Sequence, residues 1–236
     1  MTWRSLISFS LFAIAAASGA EFRTRVELTD SRDSAVRKKR DYSGVVVWLE
    51  PLNSKAAAPA PRTFTMEQRG KRFLPHLLAV PLGSTVDFPN LDPIYHNAFS
   101  NFAGQPFDTG LYRPGTSQKV TFRREGVVRV FCNIHSTMSA VIVVLRTPYF
   151  AVSGADGAIR IGDVPPGEYR LHVFHERADA ELLNRLGSKV TVGDGGAEAP
   201  AIRISEAGFL SMPHKNKYGN DYPPEPNDAV YPGGRK

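Results

Sequence analysis

Apolar residues in this chain come in short runs cut by Gly, Pro and Asn, and only Arg177 to Leu186 has the three-to-four spacing of a helix. Short runs bounded by turn residues are strands, so the expected fold is all-β. Phe22 to Leu28 alternates weakly. Val45-Val46-Val47-Trp48-Leu49 is apolar on both faces, which predicts a strand covered on both sides. Asn53 to Arg62, with its Ala-Ala-Ala-Pro-Ala-Pro, holds no sheet ladder and reads as a linker.

From Thr63 the strands shorten. Thr63 to Gln68, Leu77 to Val80, Ser84 to Phe88, His96 to Ser100, Val120 to Phe122, Val127 to Phe131 and Ala140 to Leu145 are separated by turn signals such as Pro81-Leu82-Gly83 and Arg113-Pro114-Gly115. That spacing suits a Greek-key β-sandwich. A second pattern starts at Thr147: Tyr149 to Ser153 and Ala158 to Ile161 flank Gly154-Ala155-Asp156-Gly157 and read as a hairpin. Strands over Tyr169 to Phe174, Lys189 to Val192 and Ala201 to Ile204 follow. Residues 208–236 have no periodicity and predict an extended tail, disordered or lying on the surface.

The first 20 residues have a basic head (Arg4), an apolar run from Leu6 to Ala17 and the small residues Ser18-Gly19-Ala20. This is the pattern of a secretory signal cleaved after Ala20, and the run is shorter than the roughly 20 residues of a spanning helix. A periplasmic or secreted protein is expected, with no transmembrane segment. Cleavage removes one cation and leaves the net charge at about +5. The run Arg37-Lys38-Lys39-Arg40 reads as a solvated loop, and no nucleic-acid partner is expected.

Export makes the cysteine count informative, because Cys132 is alone and an exported thiol without a partner needs another explanation. It sits in Phe131-Cys-Asn-Ile-His-Ser-Thr-Met138, after an apolar strand, with His135 and Met138 at successive three-residue steps. Thiolate, imidazole and thioether are soft donors suited to copper. His96, followed by Asn97, is the fourth candidate ligand. Two imidazoles, a thiolate and a long axial thioether form a type 1 copper site. The metal charge holds as thiolate a group whose free pKa is about 8.5. Asn97 is placed to hydrogen-bond across to the ligand loop and orient it. His76, His172, His175 and His214 have no such donor neighbours in sequence.

Pro89-Asn90-x-Asp92-x-x-x-His96-Asn97 with Cys132-x-x-His135-x-x-Met138 resembles the cupredoxin family over about Thr63 to Arg146, and the short ligand loop is most similar to amicyanin. Ser136 stands where such loops commonly carry proline. The resemblance implies an eight-stranded Greek-key sandwich, one copper ion held by His96, Cys132, His135 and Met138, and electron transfer. Asp156-Gly157-x-x-x-Ile161 and Val164-Pro165-x-Gly167-x-Tyr169-x-Leu171 resemble the carboxypeptidase regulatory-like, or prealbumin-like, sandwich. The expected organisation is therefore a signal (1–20), first strands and linker (21–62), a copper domain (63–146) lodged in a second sandwich completed by 147–207, and the tail.

The function expected is a carrier of single electrons between periplasmic redox proteins, such as a cytochrome c or a dehydrogenase. His135 would be the exit, at the solvent-facing edge of the ligand loop, with Ile134, Leu74 and Pro75 as a small docking surface. The alternatives are copper capture without redox turnover, and a surface binding module on a cupredoxin scaffold. An enzyme is not expected: Cys132 is flanked by Phe131 and Asn133, where multicopper oxidases place a histidine beside the type 1 cysteine to feed a second cluster.

Overall fold

The computed structural model describes residues 20–101, 104–210 and 214–222. All but the last residue of the expected signal lies outside the described residues, and Ala20 is already the first residue of a strand. In chain order the elements are β1 (Ala20–Thr29), α1 (Ser34–Lys39), β2 (Val45–Pro51), β3 (Thr63–Thr65), β4 (Glu67–Gln68), β5 (Phe73–Leu74), β6 (Leu77–Pro81), β7 (Thr85–Pro89) and β8 (Phe99–Ser100). Next come β9 (Phe107–Asp108), β10 (Ser117–Thr121), β11 (Gly126–Phe131), β12 (Ser139–Leu145), β13 (Phe150–Val152), β14 (Ala158–Val164) and β15 (Gly167–His175). The last are α2 (Ala180–Leu186), β16 (Ser188–Val192), β17 (Ala197–Glu198) and β18 (Ile202–Ser205). The fold is all-β.

The main sheets form four layers with three apolar cores between them. The outer pair of strand sets β10-β7-β3 and β6-β12-β11-β8-β9 encloses Phe88, Phe122, Val128, Val130, Ile142 and Val144. At the other side of the molecule, β13-β2-β15-β16 faces β14-β1 with β17 and β18, around Phe22, Val26, Leu49, Ile159, Leu171 and Ile204. Strands of the first pair come from residues 63–145 and those of the second from 20–51 and 150–205.

The third core joins the two pairs. In β2, Val45, Val47 and Leu49 point into the second pair while Val46 and Trp48 point the opposite way. In β12, Ala140, Ile142 and Val144 point into the first pair while Val141, Val143 and Leu145 face Val46 across the gap. Both strands are apolar on both faces because both faces are covered. Burying each such side chain contributes roughly 1.5–3 kcal/mol, so the pairs are held by a core and not only by their two connecting segments. At the margin of this core, His76 ahead of β6 bonds Glu176 just after β15 at 2.5 Å, and Arg129 of β11 reaches the same carboxylate at 3.6 Å.

Several local expectations are corrected. The segment around Gly154 to Gly157 is not a hairpin: β13 pairs with β2 and β14 with β1, so the chain crosses from one sheet to the other. Gly157 makes the crossing possible, with φ at +74° and a site where a Cβ would lie 2.2 Å from the Val26 carbonyl oxygen. The basic run forms the second half of α1 and, at Arg40, its C-cap, because the Asp33 side chain accepts from the Ala35 amide and starts a helix that buries Val36. Thr63 to Gln68 is two strands broken at buried Met66, and His96 to Ser100 is regular only at β8, with His96 in a single bridge to Tyr112. The tail, expected to be disordered or to lie on the surface, lies over 214–222 against the loop after β11.

Candidate metal centre

Two loops at one end of the first sheet pair build the site. The first leaves β7 at Pro89. Asn90 is fully buried, and its side chain accepts from the Asp92 amide at 3.1 Å and donates to the Ile94 carbonyl at 2.8 Å, which folds the turn. Asp92 therefore points inward, where it accepts from the amides of Gly70 (2.6 Å) and Lys71 (2.8 Å) and from His96 Nε2 (2.8 Å). A carboxylate only accepts here, so Nε2 carries the proton and Nδ1 of His96 keeps its lone pair.

The second loop leaves β11 at Phe131 and is closed at its base: the Cys132 amide donates to the Met138 carbonyl at 3.1 Å, and the Met138 amide to the His135 carbonyl at 3.2 Å. Cys132 and Met138 are both fully buried in the core shared with Val130 and Ala140. The two loops are tied by Asn97, whose Oδ1 accepts from the Asn133 amide at 2.7 Å while its Nδ2 donates to Asp108 at 3.2 Å.

Cys132 Sγ lies 3.7 Å from Nδ1 of His96 and 3.6 Å from Nδ1 of His135. The donor atoms of these three residues are all within 4.8 Å of one another, and they are the one such group among the described residues. A divalent ion bound at about 2.0 Å by imidazole and 2.3 Å by thiolate, with angles near 120°, separates sulfur from nitrogen by about 3.7 Å. The two sulfur–nitrogen edges thus match those of a trigonal site, and a thiolate with two imidazoles is a donor set that suits copper. Both imidazoles turn the same kind of nitrogen toward the sulfur, and their rings are 4.8 Å apart.

No family model matches this chain, and no curated protein sequence does. Among solved structures it is similar over part of its length to the copper-containing nitrite reductase of Thermus scotoductus, at 30% identity over 41% of this chain with a TM-score of 0.34. The chain spans only 25% of that reductase. It is also similar to a purple cupredoxin of Nitrosopumilus maritimus, at 24% identity over 35% of this chain and 99% of the other, with a TM-score of 0.33. A reduced variant of amicyanin aligns at 20% identity over 42% of this chain and 98% of its own, with a TM-score of 0.34.

Burial sets the electrostatics. It pushes the Cys132 thiol above its usual range, against the pull of backbone amides at Asn97, Ile134, His135 and Asn133. Burial likewise lowers His96, so its imidazole is neutral and available as a donor, and Asp92 only partly offsets this. Burial pushes the Asp92 carboxyl up, but the hydrogen bonds from Lys71, Gly70 and His96 outweigh it and leave the group an anion.

His135 is only 9% exposed, so the edge expected to face solvent is nearly closed. Ile134 and Leu74 are 41% and 37% exposed, and Pro75 is exposed. His175 is taken up elsewhere: its Nε2 meets Glu206 at 2.7 Å in a buried pair. His172 stacks on Trp48. Two contributions escaped the sequence reading. Asp92 was visible as an acid four residues before His96, without an assigned role. The segment 214–222 carried no signal, yet it touches Phe131, Cys132 and Asn133.

Proposed function

We propose that this chain is an exported copper protein of the cupredoxin type that carries single electrons between redox proteins. The observation that carries this reading is the trio of buried donors at His96, Cys132 and His135, with an Nδ1 of each imidazole 3.6–3.7 Å from the sulfur. When bound, copper supplies reversible one-electron exchange between its cuprous and cupric forms. In this proposal His96, Cys132 and His135 would hold the metal as its strong donors, and the thioether of buried Met138 would be a weaker fourth donor. Asp92 and Asn97 fix the direction of His96 and of the cysteine loop, which keeps the donor spacing similar in both oxidation states. The surrounding core excludes water. The neighbours of Cys132 favour a carrier over an oxidase, since Phe131 and Asn133 offer no imidazole to a second metal.

In this proposal residues 1–20 direct export, and 63–146 is a copper domain lodged in a second, prealbumin-like sandwich that serves as a rigid mount. The small apolar surface at Ile134, Leu74 and Pro75 takes a transient partner such as a cytochrome c or a dehydrogenase. Adding Cu(II) to the purified chain is expected to give one equivalent of tightly bound copper, an intense visible thiolate-to-copper band and a reversible one-electron wave. Cys132→Ser is expected to abolish the band. A colourless site that holds only Cu(I) would favour capture over electron transfer, and one equivalent of copper retained by Cys132→Ser would overturn the assignment.

A further inference from the structure

Residues 214–222 return to the metal end of the molecule and touch the cysteine and both of its neighbours. The Tyr222 hydroxyl donates to the Cys132 carbonyl oxygen at 2.6 Å. The His214 ring packs on Phe131 with centroids 4.2 Å apart. The Lys217 amide donates to Asn133 Oδ1 at 2.9 Å, and its carbonyl accepts from Asn101 at 3.0 Å. Lys217 Nζ also reaches Asp108 at 2.6 Å, the same carboxylate that receives Asn97 Nδ2. The segment therefore grips the cysteine loop directly and, through Asp108 and Asn97, the loop that carries His96.

The hydrogen bonds within this group run in one direction. The Lys215 carbonyl can only accept, and it lies 3.1 Å from His214 Nδ1, so that nitrogen is protonated. It also faces the Tyr222 oxygen at 3.2 Å, which frees the Tyr222 proton for the cysteine carbonyl. His214 Nε2 is then a bare lone pair, buried and without a hydrogen-bond partner among the described residues. Burial lowers His214, in keeping with a neutral ring. Leaving a buried polar atom unsatisfied costs stability, and the ring keeps its place through Phe131 and Tyr222.

We propose that Tyr222 is a positioning residue for the metal centre: the C-terminal segment clasps the cysteine loop, and its hydroxyl bond to the Cys132 carbonyl restrains and polarises the ligand that binds through sulfur. This rests on the copper reading above for its redox consequence, but the clasp itself exists without metal. A donor on the cysteine unit withdraws electron density and favours the electron-rich, reduced form. Tyr222→Phe keeps the ring and removes only the donor.

The test uses the full chain, its Tyr222→Phe and Tyr222→Trp variants, and a chain ended after Leu210. In the metal-free proteins, the rate of Cys132 alkylation by iodoacetamide is expected to rise severalfold on truncation and less in Tyr222→Phe. In the copper-loaded proteins, Tyr222→Phe is expected to lower the reduction potential and shift the visible band, with the fold retained and thermal stability lowered only slightly by the lost bond. Tyr222→Trp, which restores a donor, is expected to recover part of the shift. Alkylation rates, potential and spectrum all equal to the parent would overturn the proposal. Faster alkylation in a chain that never develops a thiolate-to-copper band would leave the clasp standing and overturn the copper reading instead.

Discussion

At the scale of single residues, the site is set by side chains that hold the proposed ligands as much as by those ligands themselves. Asp92 fixes the His96 tautomer and is itself fixed by the Gly70 and Lys71 amides. Asp92→Asn keeps the size but removes the anion, and turns one donor toward a ring of donors. Copper affinity is expected to fall about 10- to 100-fold, which competition with a chelator measures. The reduction potential is expected to rise, since a nearby negative charge favours the more highly charged metal. An unchanged affinity and potential would show that the turn at Asn90 alone orients the imidazole. That His96, Cys132 and His135 come together was legible because soft donors in a spaced loop have few other uses near one another. Asp92 was present in the same motif but illegible, since an aspartate beside proline is equally at home in a turn.

At the scale of elements, the pairing partners decide what local pattern leaves open. The double-sided apolar run at Val45 to Leu49 announced a strand covered on both faces, and it is; Ala140 to Leu145, expected only as a strand, is covered on both faces too. The arch at Gly157 was illegible because a glycine turn between two strands does not say whether they pair together or with separate neighbours. The ends of β15 and β18 are joined by a network no sequence period reveals. Glu206, 3% exposed, accepts from His175 (2.7 Å), Arg177 (2.9 Å) and Ser31. Burial alone would push its carboxyl up, yet the bonds from Arg177, Ser31 and His175 outweigh burial and hold it below the usual 4.5. A lowered carboxylate contributes stability that is present above the unfolded value and lost as pH falls through the folded one. Urea midpoints are therefore expected to drop as pH is lowered below about 4.5. Glu206→Gln is expected to cost about 3–5 kcal/mol at neutral pH and to flatten that acid limb. A variant with the parent's acid limb would place the titration elsewhere.

For the whole molecule, the arrangement raises the question of why the sheet pair that carries the proposed copper site should have a second pair packed against it. No helix among the described residues is long and apolar enough to cross a membrane. What the second sandwich supplies is an apolar cover for the outer face of β12 and β6, where Ala79, Val141, Val143 and Leu145 are at most 7% exposed. The proposed division at 63–146 then makes two opposite predictions from one face. Produced alone, residues 63–146 are expected to fold, bind copper and show the thiolate band, but to self-associate through this uncovered face. Val143→Lys in that fragment is expected to restore a monomer with the band intact, by light scattering and visible absorption. In the full chain the same substitution places an ammonium in a closed core, where an unpaired charge costs several kcal/mol, and is expected to unfold the protein or separate the two sheet pairs. A fragment that stays unfolded with and without the lysine would mean that 20–51 and 150–205 are part of the copper sandwich's own folding unit. A monomeric parent fragment would mean that the face tolerates water, and that the third core is a contact the molecule can open.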